Sequence, residues 1–207
     1  MRCPACQTAV FENDAACRQC GFSLDAADHA LGVPPTLQKP LSDPKGLVPS
    51  LARRRLLRAV SHFEHRYPQV EIAVVVLEVP PQVPAGVYAF WLFNRGQLSS
   101  AVETAGDNHL VMLLIEAASE RAVVMAGYGL EPFVQANQLQ MCLNRYSQAA
   151  RRGSLVDGAL AFLEELDVQF KTVLHQLPRQ FGLADEEMWT GMAAGATDDT
   201  ALRGAAF

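Results

Sequence analysis

Four cysteines near the start of the chain are the residues whose type and spacing point most directly to chemistry. They form two Cys-x₂-Cys pairs separated by ten residues, at Cys3, Cys6, Cys17 and Cys20. Each pair can turn two thiolates toward one point, and two pairs supply the four soft ligands of a closed tetrahedral zinc site. Four protein ligands leave no open position for a substrate. We therefore expect one structural zinc ion in a short zinc ribbon spanning residues 1–24.

Three alternatives to zinc stay open at this point: disulfide bonds, an iron ion and a chance arrangement. Disulfides need an oxidising compartment, whereas Met1 leads directly into the first cysteine pair with no apolar signal segment. Iron is harder to separate from zinc, because both metals accept four sulfur ligands. The absence of a signal segment, together with a thiolate metal site, predicts a cytoplasmic protein.

Length, composition and charge exclude several classes of protein. A chain of 207 residues with 50% hydrophobic residues can bury one full-sized core and carry a small appendage. The apolar run at residues 110–115 suits a strand, and no apolar run in the sequence comes near the length needed to span a membrane. The net charge of −5 lies mainly in residues 184–207, which hold five acidic residues and one Arg. We expect neither membrane insertion nor nucleic-acid binding.

The pattern along the chain predicts four regions. Residues 1–24 form the ribbon, and residues 25–49, with five prolines, are expected to be an extended linker. Residues 50–178 carry alternating helix and strand patterns and are expected to fold as one α/β domain. Residues 179–207 are small and acidic, which is typical of a disordered tail.

Within residues 50–178 the order of elements indicates a three-layer α/β/α domain with a small mixed sheet. A continuous β-branched run at residues 71–77 predicts a strand that is buried on both faces. A β-α-β crossover makes the first two strands parallel, and a hairpin adds an antiparallel strand. The predicted order is a helix from Ser50, strand 71–77, helix 87–93, strands 109–116 and 121–127, a helix from Pro132 and a last helix from Ser154.

A short loop after the second hairpin strand carries a family resemblance. The segment Gly127-Tyr128-Gly129-Leu130-Glu131 follows an apolar strand, and Gly106-Asp107-Asn108 precedes the strand before it. In this pattern the chain resembles the TPM domain family, which groups thylakoid-lumen, bacterial-envelope and animal receptor-modulating proteins. The resemblance covers about residues 47–176 and implies a compact α/β/α fold.

The resemblance also implies a second candidate site. Some members of the family bind calcium through acidic residues near these strand ends, and the matching positions here are Asp107 and Glu131. The departures are His109, where the family usually has Gly, and Gln135, where it often has an acidic residue. Asn108, Gly127, Tyr128 and Gly129 complete this candidate site for calcium, another divalent cation or a ligand.

Two functions stay open from the sequence. The first is a non-enzymatic cytosolic binding or adaptor protein, in which the TPM-like domain recognises a protein partner. The alternative is a divalent-cation-dependent hydrolase acting at the Asp107/Glu131 edge, because weak acid phosphatase activity is attributed to a plant member of the family. The sequence does not indicate an oligomeric state.

Overall fold

The chain folds as a mixed α/β domain in a computed structural model that describes residues 2–11, 14–98 and 108–180, with side chains through residue 174. The described part contains five α-helices and four strands. In chain order the elements are α1 (Leu24–Leu31), β1 (Leu41–Ser42), α2 (Ser50–Arg66), β2 (Glu71–Leu77), α3 (Ala85–Arg95), β3 (Leu110–Glu116), β4 (Ala122–Ala126), a 3₁₀ turn (Tyr128–Leu130), α4 (Ala136–Ala150) and α5 (Leu155–Gln180).

The four strands form one mixed sheet in the order β1-β2-β3-β4. Strands β1, β2 and β3 run parallel, whereas β4 pairs antiparallel with β3 as the second strand of a hairpin. In the central pair, Val74 lies opposite Leu113. The predicted parallel β-α-β unit and the predicted hairpin are both confirmed.

The two central strands are apolar on both faces, so helices must cover both sides of the sheet. Ala73 and Val75 of β2 belong to one hydrophobic cluster that also contains Trp91 and Leu92 of α3 and Ala27 of α1. The alternate side chains of β2 point to the opposite face and are fully buried as well. Helix α2 contacts β2, and its apolar face carries Leu56, Val60 and Phe63. The predicted α/β/α class is confirmed.

The segment predicted to be an extended linker contains regular structure. Ser23 caps the N-terminus of α1 by accepting a hydrogen bond from the Ala26 backbone N–H, and Gly32 ends the helix at φ 79°. Strand β1 then adds a parallel edge to the sheet, with Leu41 buried opposite Val74. The prolines favour an extended chain. The apolar side chains between them nevertheless pack into the core, and this packing determines the structure of the segment.

Most other element boundaries follow the predictions. Helix α3 ends at Gly96, and Ser154 and Asp157 make reciprocal side-chain-to-backbone hydrogen bonds at the start of α5. Two boundaries differ. Helix α4 begins at Ala136 because residues after Glu131 make a further turn, and α5 continues through Pro178 to Gln180.

The chain divides into two compact units, Met1–Val168 and Gln169–Phe207. The first contains the ribbon, the whole sheet and the helices through most of α5. In the second, the structure describes only the continuation of α5 to Gln180. The prediction of a disordered tail therefore lies mostly outside the described residues. No helix in the described ranges combines the length and the apolarity needed to cross a membrane.

One carboxylate ties α1 to α3 and gives a testable pH dependence. Asp28 accepts a 2.8 Å hydrogen bond from the Trp91 indole and forms a 2.9 Å ion pair with Arg95. These hydrogen bonds hold the pKa of the Asp28 carboxyl below its ordinary value of 3.8. Because the pKa is lowered in the folded state, this stabilisation is present above the ordinary value and is lost as pH falls through the folded one.

We expect Asp28→Asn to lower the thermal midpoint at neutral pH, and the difference from wild type to shrink as pH falls below about 4. Circular dichroism at a series of pH values measures both effects. Asp25→Asn is the matched control, because the Asp25 side chain is 91% exposed and lies 3.6 Å from the same Arg95. An equal loss of stability at every pH would contradict a role for the Asp28 charge.

Candidate metal centre and adjoining cleft

The two cysteine pairs sit in two turns built in the same way. In the first turn, Gln7 donates its backbone N–H to the Cys3 carbonyl at φ 62°, and Cys3 donates to Thr8. In the second turn, Gly21 donates to the Cys17 carbonyl at φ 73°, and Cys17 donates to Phe22. Each turn thus needs a left-handed residue one position after its second cysteine. The expected positive φ of Gly21 is confirmed, and Gln7 takes the same conformation at a greater steric cost.

The four sulfur atoms converge on one point. All four Sγ atoms lie within 4.8 Å of one another, and two close contacts each join one cysteine from each turn. Cys3 Sγ lies 3.6 Å from Cys20 Sγ, and Cys6 Sγ lies 3.6 Å from Cys17 Sγ. With Zn–S bonds of about 2.3 Å, a regular ZnS₄ tetrahedron has sulfur separations of about 3.8 Å. The four cysteines are all free thiols and fit a four-coordinate metal ion.

The protonation of these thiols also fits a cation site. Hydrogen bonds from the Thr8 side chain and backbone lower the pKa of Cys6 to about 6. A Phe22 backbone hydrogen bond lowers the pKa of Cys20, but burial and the three other cysteine sulfurs outweigh it and raise that pKa to about 12. Four sulfurs this close cannot all be thiolates unless a positive charge offsets their repulsion. A divalent metal ion supplies that charge.

The ribbon packs against the α/β domain. The Phe22 ring meets the Phe90 ring of α3 edge-on, with 5.9 Å between their centroids. Phe22 and Leu24 also pack against the core cluster beneath α3. The Pro4 carbonyl faces Gly86 at the start of α3, so both turns of the ribbon approach the same helix. The sequence predicted a ribbon that a linker separates from the core. That separation is wrong for the ribbon, because Phe22 and Leu24 pack directly against the core.

A cleft of about 280 Å³ lies between the ribbon and the domain. Its walls combine residues of the ribbon with residues of α3 and one residue of the 3₁₀ turn. The lining residues are Cys3, Pro4, Val10, Asp14, Ala15, Cys17, Phe22, Ser23, Leu24, Phe90, Asn94 and Tyr128. Sequence reasoning placed Tyr128 in a separate cation site and did not foresee the cleft, which exists only because the ribbon docks on α3.

The glycine loop has a packing explanation. A β-carbon on Gly127 would collide with the backbone carbonyl oxygen of Asn108, and one on Gly129 would lie 2.7 Å from His109 Nε2. Gly129 donates its N–H to the same Asn108 carbonyl at 3.1 Å. Asn108 is buried, and its side chain accepts the Leu110 N–H at 2.9 Å. Gly127 and Gly129 therefore let the loop close tightly over the start of β3.

The members of the predicted second cation site are brought together only in part. Asn108 contacts Gly127 and Gly129, whereas the Glu131 side chain is exposed and Tyr128 faces the cleft. Asp107 lies outside the described residues. The loop adjoins the amino ends of the parallel strands, whereas ligands of open α/β sheets bind at their carboxyl ends. Within the described ranges, the four cysteines are the one cluster of His, Cys, Asp or Glu residues suited to a metal.

Cys142, the fifth cysteine, lies away from this cluster in the middle of α4. Its side chain is fully buried, and burial raises the pKa of its thiol to about 12. A thiol with so high a pKa is a poor nucleophile at neutral pH. Cys142 therefore packs as a small apolar group, as the sequence had indicated.

Comparisons with known proteins give only distant likenesses. No protein-family model and no curated protein matches the chain. The solved N-terminal domain of a P. gingivalis protein is similar at 22% identity, covering 63% of this chain and 83% of that chain with a TM-score of 0.46. The BA42 protein of the psychrophilic bacterium Bizionia argentinensis is similar at 14% identity, covering 63% and 86% with a TM-score of 0.49. Neither likeness is close enough to support an argument about the site.

The sulfur geometry predicts that metal content depends on the cysteine cluster alone. We expect about one zinc ion per chain in wild type and almost none in Cys3→Ser/Cys6→Ser, measured by mass spectrometry of the purified protein. Cys142→Ser should keep its zinc, because Cys142 lies outside the cluster. Wild-type protein without zinc, or with iron in its place, would contradict the assignment.

The Gly127 contact predicts a large loss of stability on a small substitution. Gly127→Ala should lower the free energy of unfolding by about 1–3 kcal/mol, because the added carbon meets backbone atoms that cannot move aside. Gly129→Ala should cost less, since it meets the movable ring of His109. Gly86→Ala is the control, with its nearest contact at 3.9 Å. Urea unfolding measures all three, and equal effects would contradict this explanation.

Proposed function

We propose that this chain is a cytoplasmic binding or adaptor protein in which a structural zinc ribbon and a TPM-like domain together form the surface that recognises a protein partner. The observation that carries the proposal is the cleft, since its walls come from both parts of the chain. If the ribbon only stabilised the fold, it could pack on α3 without an aromatic-lined cleft between them. The zinc ion holds the ribbon half of that surface in place.

The zinc assignment rests on the chemistry of the donor set. Four cysteine sulfurs at tetrahedral separations satisfy a metal ion completely and leave no position for a substrate. When bound, zinc supplies positive charge and a fixed geometry, without redox chemistry. The ribbon has few apolar residues of its own, so its two turns depend on the metal for their mutual position. The exposed surface next to the ion then becomes rigid enough to bind a partner with little loss of entropy.

Exposed aromatic side chains support partner binding at this place. Phe11, next to the cleft residue Val10, is 74% exposed, and Tyr128 is 36% exposed. Aromatic side chains that combine apolar area with few rotatable bonds are the usual anchors of protein interfaces. Tyr128 lines the cleft and keeps part of its ring in water, so a partner that entered the cleft would cover it.

The rival function is a hydrolase that uses a divalent cation at the Asp107/Glu131 edge. The observation in its favour is the tight loop that holds buried Asn108 beside Gly127 and Gly129, because such a loop can fix neighbouring acidic groups. A phosphomonoester assay with calcium, magnesium or manganese, comparing wild type with Asp107→Ala and Glu131→Ala, decides between the two. Turnover that both substitutions abolish would replace the adaptor proposal.

Site-specific crosslinking tests the adaptor function directly. We expect a photoreactive phenylalanine analogue in place of Phe11 to crosslink a specific partner in cells, and the same analogue in place of Val33, 92% exposed, not to do so. The crosslinked protein is then purified and its affinity measured. Phe90→Ala should weaken binding at least about fivefold, because truncating an aromatic anchor of an interface costs more than about 1 kcal/mol.

The metal provides the second arm of that test. Cys3→Ser/Cys6→Ser should lose the crosslink at Phe11 while the purified variant keeps the helix-dominated circular dichroism of the α/β domain. Crosslinking of equal strength from Phe11 and Val33 would contradict the proposed surface. So would a purified partner whose affinity is the same for wild type, Phe90→Ala and the double cysteine variant.

A further inference from the structure

The lining of the cleft carries negative charge and no positive charge. Asp14 is its one acidic residue, and the lining contains no Lys, Arg or His. Two of the four cysteines, Cys3 and Cys17, also line the cleft. Four thiolates around one zinc ion carry a formal net charge of about −2. The end of the cleft nearest the metal centre is therefore electronegative.

Aromatic side chains form much of the remaining wall. Phe22 and Phe90 meet edge-on, and Tyr128 completes a set of three rings contributed by the ribbon, α3 and the 3₁₀ turn. The faces of aromatic rings carry partial negative charge and attract ammonium and guanidinium groups. Aromatic walls together with a carboxylate suit a long side chain that has an apolar stem and a cationic tip.

The size of the cleft limits the ligand further. A volume of about 280 Å³ lies just below the range of about 300–1,000 Å³ typical of cofactor and small-molecule sites. It suits one long side chain far better than a nucleotide or another large cofactor. A long side chain belongs to a larger molecule, which agrees with recognition of a protein.

We propose that the cleft between the ribbon and α3 binds one Lys or Arg side chain of the partner protein. This inference rests on the proposed binding function and gives its recognition chemistry. The aliphatic stem lies against Phe22, Phe90 and Tyr128, and the cationic group lies near Asp14 and the zinc thiolates. An apolar side chain would fill the same space but make no favourable electrostatic contact with the Asp14 carboxylate.

One cationic side chain of this protein already pairs with the Asp14 carboxylate. Arg18 forms a 2.9 Å ion pair with Asp14, and its side chain is 81% exposed whereas that of Asp14 is 14% exposed. Because the Arg18 guanidinium stands in water, where salt screens its attraction for the carboxylate, an incoming cation can compete with Arg18 for Asp14. Asp14 Oδ2 also accepts the Phe11 N–H at 3.2 Å, which orients the carboxylate.

Nuclear magnetic resonance titration of the zinc-loaded full chain tests the proposal. The probes are the blocked peptides acetyl-Gly-Arg-Gly-amide, acetyl-Gly-Lys-Gly-amide and acetyl-Gly-Leu-Gly-amide. We expect the Arg or Lys peptide to shift the amide signals of Phe22, Asn94 and Tyr128 in a saturable way at low salt. The Leu peptide should bind at least about fivefold more weakly, since it makes no cation–π or charge contact.

Two variants separate the contributions of charge and of the aromatic wall. Asp14→Asn should weaken binding of the cationic peptide at least about threefold, whereas Glu164→Gln, which removes the same charge from an exposed position on α5, should not. Phe90→Leu keeps apolar volume but removes the ring face, and should weaken it about threefold or more. Zinc content and the amide spectrum establish that each variant is folded.

The outcomes distinguish this inference from the binding function on which it rests. Three results would each overturn the cation site. The first is equal binding of the Leu and Arg peptides, and the second is the lack of a saturable shift with millimolar cationic peptide. The third is wild-type affinity for the cationic peptide in both Asp14→Asn and Phe90→Leu. A crosslinked partner that contacts the cleft through an apolar side chain would overturn the cation site while leaving the adaptor function intact. Failure of crosslinking together with phosphomonoester turnover would instead remove the binding function itself.

Discussion

The central strands β2 and β3 are apolar on both faces, and the rest of the first unit follows from the need to cover them. Full burial of a Val, Leu or Ile side chain is worth about 1.5–3 kcal/mol, so an uncovered sheet face would cost more than the chain's net stability. On one face the cover is α3 together with α1. Helix α1 begins only four residues after Cys20, so the metal centre is joined directly to the layer that protects the core.

This connection explains why the ribbon cannot act as an independent module. Phe22 lies two residues after the last metal ligand, and it packs both on Phe90 and on the core cluster. Asp28 then fixes α1 to Trp91 and Arg95. The position of the ribbon and the coverage of the sheet are therefore coupled, because both depend on the same few contacts with α3. A metal ion held by the four cysteines would in this way contribute to the stability of the whole unit.

The sequence predicts the parts of the fold that rest on local pattern. Residues 71–77 and the hairpin strands carry continuous apolar runs, and these strands occur almost where expected. Helix α1 was not predicted, although its sequence carries a complete helix signature: Ser23 as N-cap, apolar residues spaced as Leu24, Ala27 and Leu31, and Gly32 at the end. The prolines of residues 25–49 favoured an extended linker over a helix in that prediction. Strand β1 has only two residues and carries no pattern of its own, so only pairing with β2 creates it.

The candidate site shows the same division between local and tertiary information. Cys3, Cys6, Cys17 and Cys20 could be assigned from spacing, because ligand type and loop length fix a metal cluster locally. The cleft could not, since Tyr128 lies more than a hundred residues from Phe22 and reaches it only through the fold. The Gly127–Glu131 segment thus has two roles that its sequence does not separate. Its glycines serve close packing against Asn108, and its tyrosine lines the cleft beside residues of the ribbon, so one short loop meets two distant parts of the chain.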